Sequence, residues 1–238
     1  MIYLAFTLLL LLSTNEPLHK VGEEFINYCE KGNNNKCAES IKQLYKKNQA
    51  DKAINISKKF CSDKMIDVCI IGATISSFEQ KYSDCIELLK DRCSEKSPIA
   101  CAILSDCLFE LGKNEESLKP AQIACENNVF DACSTVSAYY LTKNSKIEAI
   151  KWAKRGCDGG SSMSCGAIAA LYISEEGYNE AFNFAKKGCD LNDRNACKAA
   201  ALCCLKLKYG CENEYYEKCC KLRDNDCCKI KEKKSGKK

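Results

Sequence analysis

Residues 186–197 read KKGCDLNDRNAC, and the same spacing, two cysteines across seven residues, stands at 125–133 in ACENNVFDAC and at 93–101 in RCSEKSPIAC. The pattern extends in both directions. Cys29, Cys61, Cys93, Cys125, Cys157 and Cys189 follow one another at intervals of 32 residues, and each has a second cysteine eight positions later: Cys37, Cys69, Cys101, Cys133, Cys165 and Cys197. The register shortens once, in CCKLRDNDCC, where Cys219 precedes Cys227 and Cys220 precedes Cys228 by the same eight positions. A fixed period of this length, held through consecutive units, is the mark of a repeat architecture.

Between the cysteine loops lie 23 residues, as in STVSAYYLTKNSKIEAIKWAKRG (134–156) and GAIAALYISEEGYNEAFNFAKKG (166–188). Each divides into an apolar-periodic stretch, a short break and a second amphipathic stretch, which is the pattern of a helical hairpin; Gly177 marks the break in the second example. Small side chains recur in two columns: Ala73, Ser105, Ser137 and Ala169 on the first helix, with Ile41 as the exception, and Ala53, Cys85, Ser117, Ala149 and Ala181 on the second. Such columns let helix axes approach closely. A bulky column three residues after the first, Leu44, Leu108, Tyr140 and Tyr172, fills the space beside them, with Ser76 departing from it. One hairpin cannot bury its apolar face alone, but a row of them buries a continuous core, so the expected fold is an all-α, right-handed α-solenoid. Pro120 falls within the second helix of the third hairpin and is expected to interrupt and kink it.

The small, bulky, small spacing resembles tetratricopeptide repeats, and the C-x7-C motif that joins one hairpin to the next resembles the Helicobacter cysteine-rich proteins, a secreted branch of the Sel1-like repeats. The resemblance covers nearly all of 17–228. It implies an exported solenoid in which each C-x7-C pair closes as a disulfide, Cys219 with Cys227 and Cys220 with Cys228 included. It also implies penicillin binding or slow β-lactamase activity. The hairpin turns are shorter here than the Gly-rich turns of Sel1-like repeats. Five cysteines stand outside the paired pattern: Cys85, Cys107, Cys203, Cys204 and Cys211. Cys85 sits in the small column and could also bridge to Cys107, and Cys211 to either Cys203 or Cys204; the odd total of 21 leaves at least one thiol without a partner in the chain.

That cysteine content belongs to an oxidising compartment. The N-terminal run from Ile2 to Leu12 is too short to span a bilayer and reads as the apolar core of a secretory signal, with the mature start near Asn15. The chain therefore parses into a signal peptide (1–14), a half-hairpin (15–28), a solenoid (29–228) with repeats starting near 29, 61, 93, 125, 157 and 189, and a basic disordered tail (229–238), the whole being secreted or periplasmic. Net charge is +4 and the tail holds the excess, so no nucleic-acid groove is expected.

The sequence holds none of the common catalytic signatures. His19 is the only histidine, which leaves neither a histidine-bearing zinc site nor a catalytic triad. The one S-x-x-K is SGKK, Ser235 to Lys238, without its companion motifs. No cofactor or metal is expected, and catalytic residues stay unassigned. What remains is surface. By analogy with tetratricopeptide repeats, Tyr45, Phe109, Leu141 and Ile173 face a concave groove with Phe78, Asp106 and Glu110 nearby, and Trp152 is read as core. An apolar strip of this kind suits an extended protein or peptide ligand. The sequence reading is thus a monomeric interaction scaffold without a stable membrane span, the alternative being a protein that takes a β-lactam or cell-wall-related small molecule.

Overall fold

The computed structural model describes residues 23–234, with side chains over 26–231. The signal peptide and the first part of the half-hairpin lie outside the described residues. Fourteen α-helices run from Glu23 to Lys234 and no strand occurs among the described residues. The chain falls into two compact units that meet in sequence at Asn127 and Asn128.

The first unit holds α1 (Glu23–Glu30), α2 (Asn34–Lys46), α3 (Ala50–Phe60), a 3-10 turn (Asp63–Met65), α4 (Ile66–Phe78), α5 (Tyr82–Leu89), α6 (Pro98–Glu110) and α7 (Asn114–Glu126). The second holds α8 (Ala132–Thr142), α9 (Lys146–Asp158), α10 (Ser162–Ile173), α11 (Tyr178–Asp190), α12 (Arg194–Leu207), α13 (Glu212–Lys221) and α14 (Asn225–Lys234). Within each unit every helix packs on the next, and first helices pack on first helices: α2 on α4 on α6, and α8 on α10 on α12. This is the nearest-neighbour packing of an α-solenoid.

The hairpin turns explain the period. Asn48, Gln80, Gly112, Asn144, Glu176 and Lys208, spaced 32 apart, all take left-handed backbone conformations. Each closes its first helix; Gly177 N–H, for example, donates to the Tyr172 carbonyl at 3.0 Å, the bond that satisfies an orphan carbonyl at a helix end. The break that Gly177 marks in the sequence is therefore built on Glu176, because the repeat register, rather than glycine, decides where the left-handed residue falls.

The small columns are buried as expected of close helix approach: Ala53, Ala73, Cys85, Ala149, Ala169 and Ala181 are fully enclosed. A further column differs between the units. At the end of the second helix, Gly156 and Gly188 lie against the following helix, and a Cβ at 188 would stand 2.7 Å from Ala196 Cβ. The first unit puts Phe60 and Arg92 in this column, and the two junctions there are irregular, although Tyr28 in the same column precedes a regular one. A 3-10 turn follows α3, and α5 stops at Leu89, which leaves Cys93 in an irregular segment rather than at a helix end. Arg92 instead lies 3.7 Å from Asp63 and 3.9 Å from Asp91.

Three sequence expectations change in detail. Helix α7 continues through Pro120, which is half-buried, so the proline removes one hydrogen bond without ending the helix. Residues 229–234 are helical rather than disordered, because disulfides at Cys227 and Cys228 anchor the first turns of α14 and the Lys-rich sequence can propagate them. Trp152 is half-buried instead of enclosed.

Two substitutions of opposite sign test this geometry. Gly188→Ala gains about 1 kcal/mol of helix propensity but forces the backbones apart at a cost of roughly 1–3 kcal/mol; the urea midpoint should fall. Glu176→Gly relieves a left-handed residue worth about 1–2 kcal/mol, less the extra freedom of the unfolded chain, so the same measurement should rise.

Candidate functional site

The disulfides fix how the first helices are presented. Cys29–Cys37, Cys61–Cys69, Cys93–Cys101, Cys157–Cys165, Cys189–Cys197 and Cys220–Cys228 hold their Cα atoms 4.5–4.8 Å apart across the inter-hairpin loops, and Cys219–Cys227 does so at 5.8 Å. Cys125 closes α7 and Cys133 lies in the first turn of α8, both buried. Two further bonds resolve the alternatives that the sequence left open: Cys85–Cys107 joins α5 to α6, and Cys204–Cys211 closes the turn between α12 and α13. Cys203 is left as the free, buried cysteine, and burial pushes its thiol up to about 11. It is an apolar core residue rather than a nucleophile.

In the first unit, the Tyr45 and Phe78 rings stack at 6.5 Å with an interplanar angle of 11°, tying α2 to α4. Burial, then the charge and hydrogen bond of Glu79, raise the Tyr45 hydroxyl above its ordinary range. Lys42, one turn before Tyr45, is 4% exposed and lies 3.5 Å from Glu39. Asp106 and Phe109 are half-buried on α6, and Glu110 beside them is exposed. The predicted residues of this unit thus form a partly closed aromatic and charged face.

The second unit differs. Leu141 is 40% exposed, Ile173 is half-buried, and Leu205, which the sequence reading passed over, is 52% exposed. Leu205 stands 32 residues after Ile173, as Ile173 does after Leu141, so the period alone locates it. Tyr209 extends the exposed apolar edge and donates to Asn179 Oδ1 at 2.9 Å, with its ring edge-on to Phe182. The Lys206 ammonium lies 5.8 Å from the Tyr178 ring centroid.

Two serine hydroxyls, Ser137 and Ser164, are buried without a hydrogen-bond partner among the described residues, whereas others are engaged with the backbone. Ser40, Ser57, Ser76, Ser105, Ser117 and Ser174 donate to carbonyls three or four residues earlier, the local bond typical of serine within helices. Cys219, Asp224 and Cys227 gather at the junction of α13 and α14, but the two sulfurs are bonded to each other and supply no thiolate to a metal. Asp224 has a structural role: it accepts from the Asp226 and Cys227 N–H groups at 3.1 Å each, caps α14, and meets Lys198 at 2.8 Å. No described helix is long and apolar enough to cross a membrane.

No family model and no curated protein sequence matches the chain. Solved structures do resemble it. MamA superposes with a TM-score of 0.53 at 20% identity, over 66% of this chain and 96% of its own. The Cut9–Hcn1 hetero-tetramer of APC/C gives 0.58 at 14% identity, covering 87% of this chain and 47% of its own. The C-terminal part of a TPR repeat-containing protein from Cytophaga hutchinsonii gives 0.52 at 17% identity, covering 78% of each. At these identities the likeness is one of fold: the chain has a tetratricopeptide-like helical-repeat fold.

The repeat register makes a prediction about the free thiol. Cys203 occupies on α12 the position that Cys107 occupies on α6, and the counterpart of Cys85 is Ala181, fully buried on α11. Ala181→Cys should therefore bond to Cys203. Alkylation after unfolding, without reduction, should label one thiol in the native sequence and none in the variant, whereas the folded native chain should resist labelling at pH 8.

Proposed function

We propose that this chain is a secreted or periplasmic interaction scaffold that holds a protein or peptide segment along the exposed faces of its first helices. The observation that carries the reading is the recurrence of Leu141, Ile173 and Leu205 in one repeat column, with Leu141 and Leu205 left exposed on an otherwise well-buried helix layer. Isolated exposed leucines mean little; their placement at one position of successive repeats gives a ligand evenly spaced apolar contacts. The Tyr45–Phe78 stack offers an aromatic contact of the same kind in the first unit. The extracytoplasmic placement is supported by the disulfides, which reducing compartments do not maintain. The β-lactam reading rests on the family resemblance alone, whereas the scaffold reading rests on the exposed leucine column.

Selection of a displayed random-peptide library on the oxidised chain tests the proposal. Selected peptides should carry spaced apolar residues and should lose about ten-fold or more in affinity for the Leu141→Asp/Leu205→Asp variant, as expected when two apolar contacts of about 1 kcal/mol each are replaced by charge. Equal binding to both proteins would sink it. Intact mass after incubation with a penicillin should be unchanged; a stoichiometric adduct would favour the enzyme.

A further inference from the structure

The charge of this chain is segregated. Residues 218–238 carry a net +6, against −2 for the 217 residues before them. Among the described side chains of this segment, Asp224 and Asp226 lie 2.8 and 3.5 Å from Lys198, and Glu217 is shared by Lys221 at 3.3 Å and Lys231 at 3.6 Å. Arg223 and Lys229 are exposed and have no carboxylate partner among the described residues. Cys219–Cys227 and Cys220–Cys228 bind α14 to α13, so its cations project from a rigid frame.

From these observations we propose that α13 and α14 form a cationic docking surface for anionic phospholipid headgroups. Between Lys229 and Lys234 the sequence of α14 holds four lysines and one apolar residue, Ile230, which is half-buried. It therefore lacks the apolar face that an inserting amphipathic helix needs, and association is electrostatic adsorption. Lys229, Lys231, Lys233 and Lys234 supply the charge over a helical stretch comparable in length to a Debye length. A polybasic cluster of this size binds anionic bilayers with a steep salt dependence. The choice of lipid over nucleic acid rests on the extracytoplasmic reading above, since a membrane is the extended polyanion such a protein meets.

The test is cosedimentation of the full oxidised chain with vesicles of equimolar phosphatidylglycerol and phosphatidylcholine, and with phosphatidylcholine alone. Binding is expected to the anionic vesicles only and should fall roughly ten-fold or more between about 0.05 M and about 0.5 M salt. The variant Lys229→Gln/Lys231→Gln/Lys233→Gln/Lys234→Gln should lose it. The same positions changed to arginine should keep it, as should a chain with the exposed Lys31, Lys46, Lys52 and Lys90 changed to glutamine, which removes equal charge elsewhere. Circular dichroism checks that each variant is folded. Failure to bind anionic vesicles at low salt, equal binding to neutral ones, or equal loss in both glutamine variants would overturn the proposal. Duplex DNA binding as tightly and through the same lysines would reassign the surface to nucleic acid. Any of these outcomes would leave the peptide-scaffold reading standing, because none involves Leu141 or Leu205.

Discussion

The constraint on which this structure turns is the close approach of two helices at each inter-hairpin junction. A disulfide that holds Cα atoms 4.5–4.8 Å apart leaves the chain few ways to pass from one helix to the next. Closing a loop of this length restricts the unfolded chain by roughly 2–3 kcal/mol on the loop-entropy model. That suits a repeat fold, whose units gain stability only from their neighbours. At Gly156 and Gly188 the following helix approaches so closely that a Cβ would collide with it, which sets the demand for a missing side chain there.

Charge plays a secondary part within the folded layers. Lys187 meets Asp158 at 3.5 Å and Lys218 meets Asp190 at 3.3 Å, each pair joining second helices of consecutive hairpins. Exposed pairs of this sort contribute between nothing and about 1 kcal/mol each. Their use is to match one hairpin to the next, while the enclosed alanines and cysteines supply the burial. Lys58 is a closer case: its hydrogen bonds to Asp84 and then Glu87 raise its pKa and tie α3 to α5. Asp224 works in the opposite direction. Its burial is opposed by Lys198 and by two backbone N–H groups, which together hold the carboxyl below its ordinary range. That contribution is present above the unfolded carboxyl pKa and is lost as the pH falls through the lowered one.

The two units present different faces on one plan. In the first, aromatic stacking and a buried lysine close the surface of the first helices; in the second, the Tyr45 column carries Leu141, Ile173 and Leu205, and the two leucines stay exposed. The repeat supplies positions, and the residues that fill them decide whether a position becomes core or surface. The basic C-terminal hairpin adds a third character to a chain that is otherwise close to electrically balanced.

Periodicity made the architecture readable because every inter-hairpin loop repeats the same covalent requirement, so the cysteines, small columns and hairpin lengths could all be placed from their spacing. By itself the sequence determined the repeat, its 32-residue interval, the all-helical class and the column to which Leu141 and Ile173 belong. It could not choose between Cys203 and Cys204 as the partner of Cys211, since neighbouring residues on a helix point in directions about 100° apart and only packing says which one faces the turn. Nor could it show that Glu176 rather than Gly177 turns left-handed, that the helix from Tyr82 ends at Leu89, or that Leu205 stays exposed while Tyr45 folds against Phe78. Those outcomes depend on what stands opposite each side chain in the neighbouring hairpin, a relation that spacing along one chain does not contain and that only the tertiary structure decided.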